Sequence, residues 1–166
     1  MSGRSFIDTN VLVYTDAADD PRRRDLALAV LAHLRRAGTG VLSTQVLQGY
    51  YAAATRKLAV PAATAQRKVE LFAQFEVVQV DVPLLLAAID LQQLHRLSFW
   101  DALIVQSALA AGCPTLLSDD LQAGARLRGL RVTNPFDEPG DAVHEVPPVP
   151  YRAARSRRPT GLRGSP

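Results

Sequence analysis

The stretch RSFIDTNVLVY, residues 4–14, places an aspartate between two apolar runs near the start of the chain. The apolar pair Phe6–Ile7 precedes Asp8, and Val11–Tyr14 follows it. Two interpretations fit this pattern about equally well. Asp8 is the cap of a helix that begins behind it, since aspartate accepts hydrogen bonds from the free amides of a first helical turn. Alternatively, Asp8 belongs to a ligand site, since open α/β sheets bind ligands beyond the carboxyl ends of their strands.

Short apolar segments alternate with helical patterns along the next 120 residues or so. Such alternation predicts an α/β fold in which helices flank a central parallel sheet of about five strands. Helices are predicted to begin near Asp20, Ser43 or Thr44, Pro61, Asp81 and Ser98. Strands are predicted at residues 4–8, at GVLS (40–43), EVVQVD (76–81) and PTLLSDD (114–120), and at LRVTNP (130–135).

The composition favours one folded domain in the cytoplasm. A chain of 166 residues buries enough surface to fold without disulfides, and its single cysteine, Cys113, has no partner within the chain. No signal peptide precedes the first strand, and no apolar run approaches the ~20 residues that cross a membrane. We expect residues 1–136 to form the domain and residues 137–166, rich in proline and arginine, to be a disordered tail.

The net charge of +3 comes from the tail. Five arginines and no acidic residue follow Tyr151, whereas residues 1–150 hold 14 basic and 16 acidic residues. The domain itself is therefore mildly acidic. If its substrate is a polyanion such as nucleic acid, cations are needed between the two.

Acidic residues recur where the predicted sheet opens. Asp8 ends the first strand, Asp119 and Asp120 end the fourth, and Asp101 lies in the first turn of the helix that begins at Ser98. Each has an ordinary explanation, because Asp101 fits a helix start and the Asp119–Asp120 pair fits the cap of a short helix over LQAGARL. Together they predict a cation site, because like charges at one sheet edge repel unless an ion or a proton neutralises them. Hard carboxylate oxygens favour Mg²⁺ or Mn²⁺.

Four segments resemble the PIN domain and, within it, the VapC-like toxin ribonucleases: FIDTNVLVY, VLSTQVLQGYY with TRKL, SFWDALIVQSALAAGC, and LLSDDLQ with GLRVTNPF. They occur in the family's order and spacing between about Phe6 and Phe136. The resemblance implies a three-layer fold and an acidic pocket that binds Mg²⁺ or Mn²⁺ and hydrolyses RNA. It also implies a small antitoxin partner and a homodimer. Matched positions assign catalytic and metal-binding roles to Asp8, Asp101 and Asp120, and auxiliary roles to Asn10, Ser118 and Asp119.

One position departs from the family pattern. Gly49 stands where the family usually has glutamate, and glycine costs about 1 kcal/mol relative to alanine inside a helix. We expect weaker cation binding and slower hydrolysis as a result, and we expect Gly49→Glu to raise both without a backbone cost.

Two other classes of protein remain as alternatives. One is a PIN-fold protein with weakened or lost catalysis that acts as a binding or regulatory partner, which Gly49 motivates. The other is a receiver domain of the response-regulator type, also α/β with aspartates at strand ends. The receiver is disfavoured because LRVTNP supplies no lysine at the end of the last strand.

Overall fold

The computed structural model describes residues 3–137. They form a mixed α/β domain with one six-stranded sheet, in the order β3-β2-β1-β4-β6-β5. The strands are β1 (Ser5–Ile7), β2 (Gly40–Ser43), β3 (Glu76–Val78), β4 (Thr115–Leu117), β5 (Arg126–Leu127) and β6 (Leu130–Thr133). All neighbouring pairs are parallel except β5 with β6. The predicted α/β class with a mostly parallel sheet is confirmed.

The helices follow the predicted order with one addition. They are α1 (Thr9–Tyr14), α2 (Pro21–Ala37), α3 (Thr44–Arg56), α4 (Ala62–Phe72), α5 (Val82–His95) and α6 (Phe99–Ala110). Five of them begin where a polar side chain accepts a hydrogen bond from an amide of the first turn, namely those of Asp8, Asp20, Ser43, Asp81 and Ser98. No helix within residues 3–137 is long and apolar enough to cross a membrane.

The segment after β4 is the main departure from the predicted elements. Residues 121–125 are irregular, with a turn at 123–124, and the chain then forms a β5–β6 hairpin rather than a short helix over LQAGARL. Arg128 and Gly129, between the two strands, both have positive φ, of 49° and 88°. Two such residues match the twist of a tight hairpin, which explains a glycine at position 129. The sheet therefore has a sixth, antiparallel strand at one edge.

The core lies between the sheet and the packed helices. The central strands β1, β2 and β4 contribute fully buried side chains, including Phe6, Leu42 and Leu116. Helix α1 packs against α2 and α3, α3 packs against α4, and α5 packs against α6. Three residues after β6, Phe136 is buried in the same core, and the expected domain end at this residue stays a prediction. The expectation of a disordered tail concerns residues that, from position 138 on, lie outside the described range.

Candidate active site at the carboxyl edge of the sheet

Strand pairing brings the two ends of the domain together. Strands β1 and β4 are parallel neighbours, with Ile7 level with Leu117. The next residue of each strand is therefore Asp8 on one side and Ser118 on the other. The Asp8 amide donates to the carbonyl of Leu117 at 3.0 Å, which fixes this register at the edge.

Asp8 is a buried carboxylate held by three donors. Its side chain accepts hydrogen bonds from the Thr9 amide at 2.6 Å, from the Ser118 hydroxyl at 2.6 Å and from the Asn10 side-chain amide at 3.4 Å. The residue is only 8% exposed. It also caps α1, so the two interpretations of the opening stretch, a helix cap and a buried acidic centre, describe one side chain.

Burial raises the pKa of Asp8 to about 6. Burial removes water from the charged form and so favours the protonated carboxyl. The hydrogen bonds from Ser118 and Thr9 lower the pKa, and the negative charges of Asp120 and Asp101 raise it further. Three of the expected site residues are therefore close enough for their charges to interact.

Ser118 connects the buried carboxylate to the loop that carries Asp120. Its hydroxyl donates to Asp8 and accepts from the backbone amides of Asp120 and Leu121, each at 3.3 Å. The Asn10 side-chain amide also donates to the Ser118 oxygen at 3.3 Å. Asn10 and Ser118 thus lie in one hydrogen-bonded group with Asp8, and their auxiliary role stays a prediction.

Asp101 and Asp120 lie on the outer side of this group. Asp120 is exposed, and Asp101 is partly exposed in the first turn of α6. One carboxylate oxygen of Asp101 accepts from the Ser98 hydroxyl at 2.6 Å, while its backbone amide donates to the same hydroxyl at 3.1 Å. Within residues 3–137, no three His, Cys, Asp or Glu side chains are arranged to hold a metal ion in this conformation.

Asp119 turns away from Asp8. Its carboxylate accepts from the Tyr14 hydroxyl at 2.9 Å and lies 3.4 Å from the Arg23 guanidinium, which also bonds the Tyr14 hydroxyl. The Arg23 guanidinium lies over the rings of Tyr14 and Phe136. This Tyr14–Arg23–Asp119 cluster ties the loop after β4 to α1 and α2. The sequence did not indicate it, because Tyr14 reads as part of an apolar run and Arg23 as one of three consecutive arginines.

The cluster makes Asp119→Ala a test of its role. We expect the variant to lose about 1–3 kcal/mol of unfolding free energy, because a half-buried cation and a tyrosine hydroxyl lose their acceptor. We expect its Mn²⁺ affinity to stay within about twofold of the parent, and urea denaturation with calorimetric titration measures both. Asp120→Ala is the matched control and should show the opposite pattern. A loss of Mn²⁺ affinity as large in Asp119→Ala as in the control would assign Asp119 to the cation site instead.

The fold defines an α/β domain with acidic residues at the carboxyl edge of a mostly parallel sheet, and comparison with known proteins gives the family. The PIN domain family model matches residues 5–126. The chain belongs to the PIN domain family. Among curated proteins, none matches the chain significantly.

Three solved structures share the fold at low sequence identity. Mycobacterium tuberculosis VapC20, a sarcin–ricin loop cleaving toxin, is 22% identical with a TM-score of 0.56, covering 70% of this chain and 91% of its own. A toxin–antitoxin complex from Klebsiella pneumoniae is 18% identical with a TM-score of 0.62, and the match covers 81% of this chain and 99% of that one. VapBC2 from Rickettsia felis, bound to a DNA fragment from its promoter, is 20% identical with a TM-score of 0.59, and the match covers 78% of this chain and 97% of that one. These likenesses establish the fold.

Proposed function

We propose that this protein is a Mg²⁺- or Mn²⁺-dependent endoribonuclease and the toxin of a toxin–antitoxin pair. The observation that carries the proposal is the buried Asp8 carboxylate at the carboxyl edge of a PIN-domain sheet, where burial first and then the charges of Asp120 and Asp101 raise its pKa. VapC20 of similar fold is a toxin that cleaves the sarcin–ricin loop, and the other two neighbours are toxin–antitoxin complexes. A small antitoxin and a homodimer are parts of the same proposal.

The donor atoms at this edge are of the chemical type that a hard divalent cation binds, although their arrangement in this conformation does not form a complete site. Asp8, Asp101 and Asp120 supply carboxylate oxygens, and these are the ligands that Mg²⁺ and Mn²⁺ prefer. The buried side-chain oxygen of Asn10 has no hydrogen-bond partner within residues 3–137, so one further oxygen lone pair is available beside Asp8. When bound, the cation supplies charge screening for the phosphate and makes a water molecule more acidic.

The protein's own residues have separate tasks in this proposal. Asp8 gives a fixed negative charge, because three donors hold its carboxylate in one position. Asp120 is exposed at the same edge and can accept the proton that the attacking water loses. Ser118 fixes both through its single hydroxyl.

The direct experiment is cleavage of a labelled RNA by the purified protein. Hydrolysis in Mg²⁺ or Mn²⁺ that stops on addition of a chelator and resumes when the metal is restored is the expected result. Cleavage that continues in the chelator excludes the metal-dependent mechanism. Binding of RNA without any cleavage supports the alternative of an inactive binding or regulatory partner.

Ser118→Ala tests the support of Asp8 more finely. We expect the rate of RNA hydrolysis to fall by about 10–100-fold, as is typical when a partner that orients a metal ligand is removed. Ser107→Ala is the matched control, since Ser107 is also buried but its hydroxyl bonds the carbonyl of Leu103 within α6. Equal rate losses in the two variants would mean that general destabilisation, not the Asp8 contact, explains the effect.

A further inference from the structure

Gly49 lies inside a helix, where its backbone conformation does not require glycine. It is the sixth residue of α3, and its φ is not among the positive values found at four other glycines. Glycine is less favourable than alanine at such a position. Conformational freedom therefore does not explain a glycine at position 49, so we consider the space around it.

That space is filled by Thr9. A Cβ atom at position 49 would lie 2.9 Å from the Thr9 methyl carbon and 3.2 Å from the Thr9 hydroxyl oxygen. A separation below 3.0 Å forces one of the two groups to move. Threonine is branched at Cβ and has few χ1 positions, so it gives way less easily than the end of a long side chain. Helices α1 and α3 therefore approach each other here because position 49 has no side chain.

Thr9 is also the residue whose backbone holds the buried carboxylate. Its amide donates to the Asp8 side chain at 2.6 Å. A displacement of Thr9 moves this amide together with the methyl group, because both belong to the first residue of α1. Thr9 thus links position 49 to the Asp8 carboxylate, through its side chain on one side and its amide on the other.

Helix α1 has little freedom to absorb such a displacement elsewhere. Val11 and Leu12 are fully buried in the core. Beyond the last turn of α1, Asp16 accepts from the Tyr50 hydroxyl at 2.7 Å and from the Lys68 ammonium at 2.7 Å. Tyr50 is the neighbour of Gly49 on α3. Helix α3 therefore holds α1 at both ends, through a close packing contact at one and a hydrogen bond at the other.

We propose that Gly49 is a positioning residue for Asp8: the missing side chain lets Thr9 sit where its amide fixes the carboxylate, and any Cβ at position 49 displaces both. The inference rests on the proposed ribonuclease function where it concerns catalysis, and on packing alone where it concerns Thr9. It also revises the expectation for Gly49→Glu. Glutamate remains the better helix former, but its Cβ meets the Thr9 methyl first, so the single replacement costs stability.

A double-mutant cycle of Gly49→Ala and Thr9→Ala tests the proposal. Gly49→Ala should lower the Tm by at least about 3 °C instead of raising it, as overpacking does in cores. It should lower the rate of RNA hydrolysis by at least about tenfold. In the double variant the nearest remaining contact is the Thr9 Cβ at 3.6 Å, an ordinary van der Waals distance. Adding Thr9→Ala should therefore recover most of both losses.

A spectroscopic readout separates this inference from the proposed function. The amide proton of Thr9, which donates a short bond to a carboxylate, should move in the NMR spectrum of Gly49→Ala and return in the double variant. Ala52→Gly, at an exposed position of the same helix, is the control, and its effects should be additive with those of Thr9→Ala. A Gly49→Ala variant with raised Tm and an unmoved Thr9 amide overturns the proposal. If the parent cleaves no RNA, but Gly49→Ala still shifts the Thr9 amide signal and lowers the Tm, the positioning of Asp8 is supported and only the ribonuclease function is refuted.

Discussion

Replacing Asp8 by asparagine is expected to lower the rate of RNA hydrolysis by at least about a hundredfold, since loss of mere supporting partners of a metal ligand already costs 10–100-fold. Asparagine keeps the size of the side chain and one oxygen, which accepts from either the Thr9 amide or the Ser118 hydroxyl, since these two groups donate to different oxygens of Asp8. It removes the negative charge that would attract the cation. Initial cleavage rates of a fluorescent RNA at saturating Mn²⁺ measure the effect.

The control for this variant is Asp90→Asn, which neutralises an exposed carboxylate on α5. We expect the control to keep the parent rate. If Asp8→Asn cleaves RNA as fast as the parent in a chelator-sensitive reaction, hydrolysis takes place at another site. If parent and variant are equally inert while both bind RNA, the chain acts as a binding partner.

The second large effect concerns stability without metal. The pKa of Asp8 is about 6 in the folded chain against an ordinary value of 3.8. The folded state therefore binds this proton more tightly than the unfolded state does. Stability should fall as the pH rises from about 4 to 6 and then level off, with a total loss of about 3 kcal/mol from this group.

Asp8→Asn should remove that pH dependence, because asparagine does not titrate. The metal-free variant should then be more stable than the parent at pH 8 by about 2–3 kcal/mol and about equal to it near pH 4. Urea denaturation in a chelator at both pH values measures the difference. A variant that is less stable than the parent at pH 8 would show that the hydrogen bonds to the carboxylate outweigh its burial. Added Mn²⁺ should stabilise the parent and leave the variant unchanged.

The sequence predicted the elements whose signals are local. The apolar run before Asp8, the Asp20–Pro21 helix start and the Ser98 cap all lie where expected, because each depends on neighbouring residues alone. A general rule, that the carboxyl ends of parallel strands meet at one edge, predicted that Asp8 and the Asp119–Asp120 pair lie at the same edge, and Ser118 was added by the PIN resemblance. The PIN resemblance added the assignment of these residues to one pocket.

What the sequence did not indicate depends on directions of side chains across the fold. Asp119 and Asp120 are adjacent and chemically identical, yet one faces Tyr14 and Arg23 while the other is exposed at the acidic edge. The β5 strand is two residues long, too short for any periodic pattern. Thr9 of α1 packs against α3 at Gly49 because that position has no Cβ, and no local sequence pattern indicates such a close approach of two helices.

The strand order β2-β1-β4-β6 also sets when the acidic edge can exist during synthesis. Asp8 and the Ser118 hydroxyl that holds it are 110 residues apart in the chain. Strand β4, which places Ser118, lies between β1 and β6, so it is an interior strand only after the last strand has emerged from the ribosome. Closing so long a loop carries an entropic cost that local helices do not pay, and this pairing therefore forms late. A growing chain that ends before Thr133 therefore has its first aspartate but lacks the completed edge.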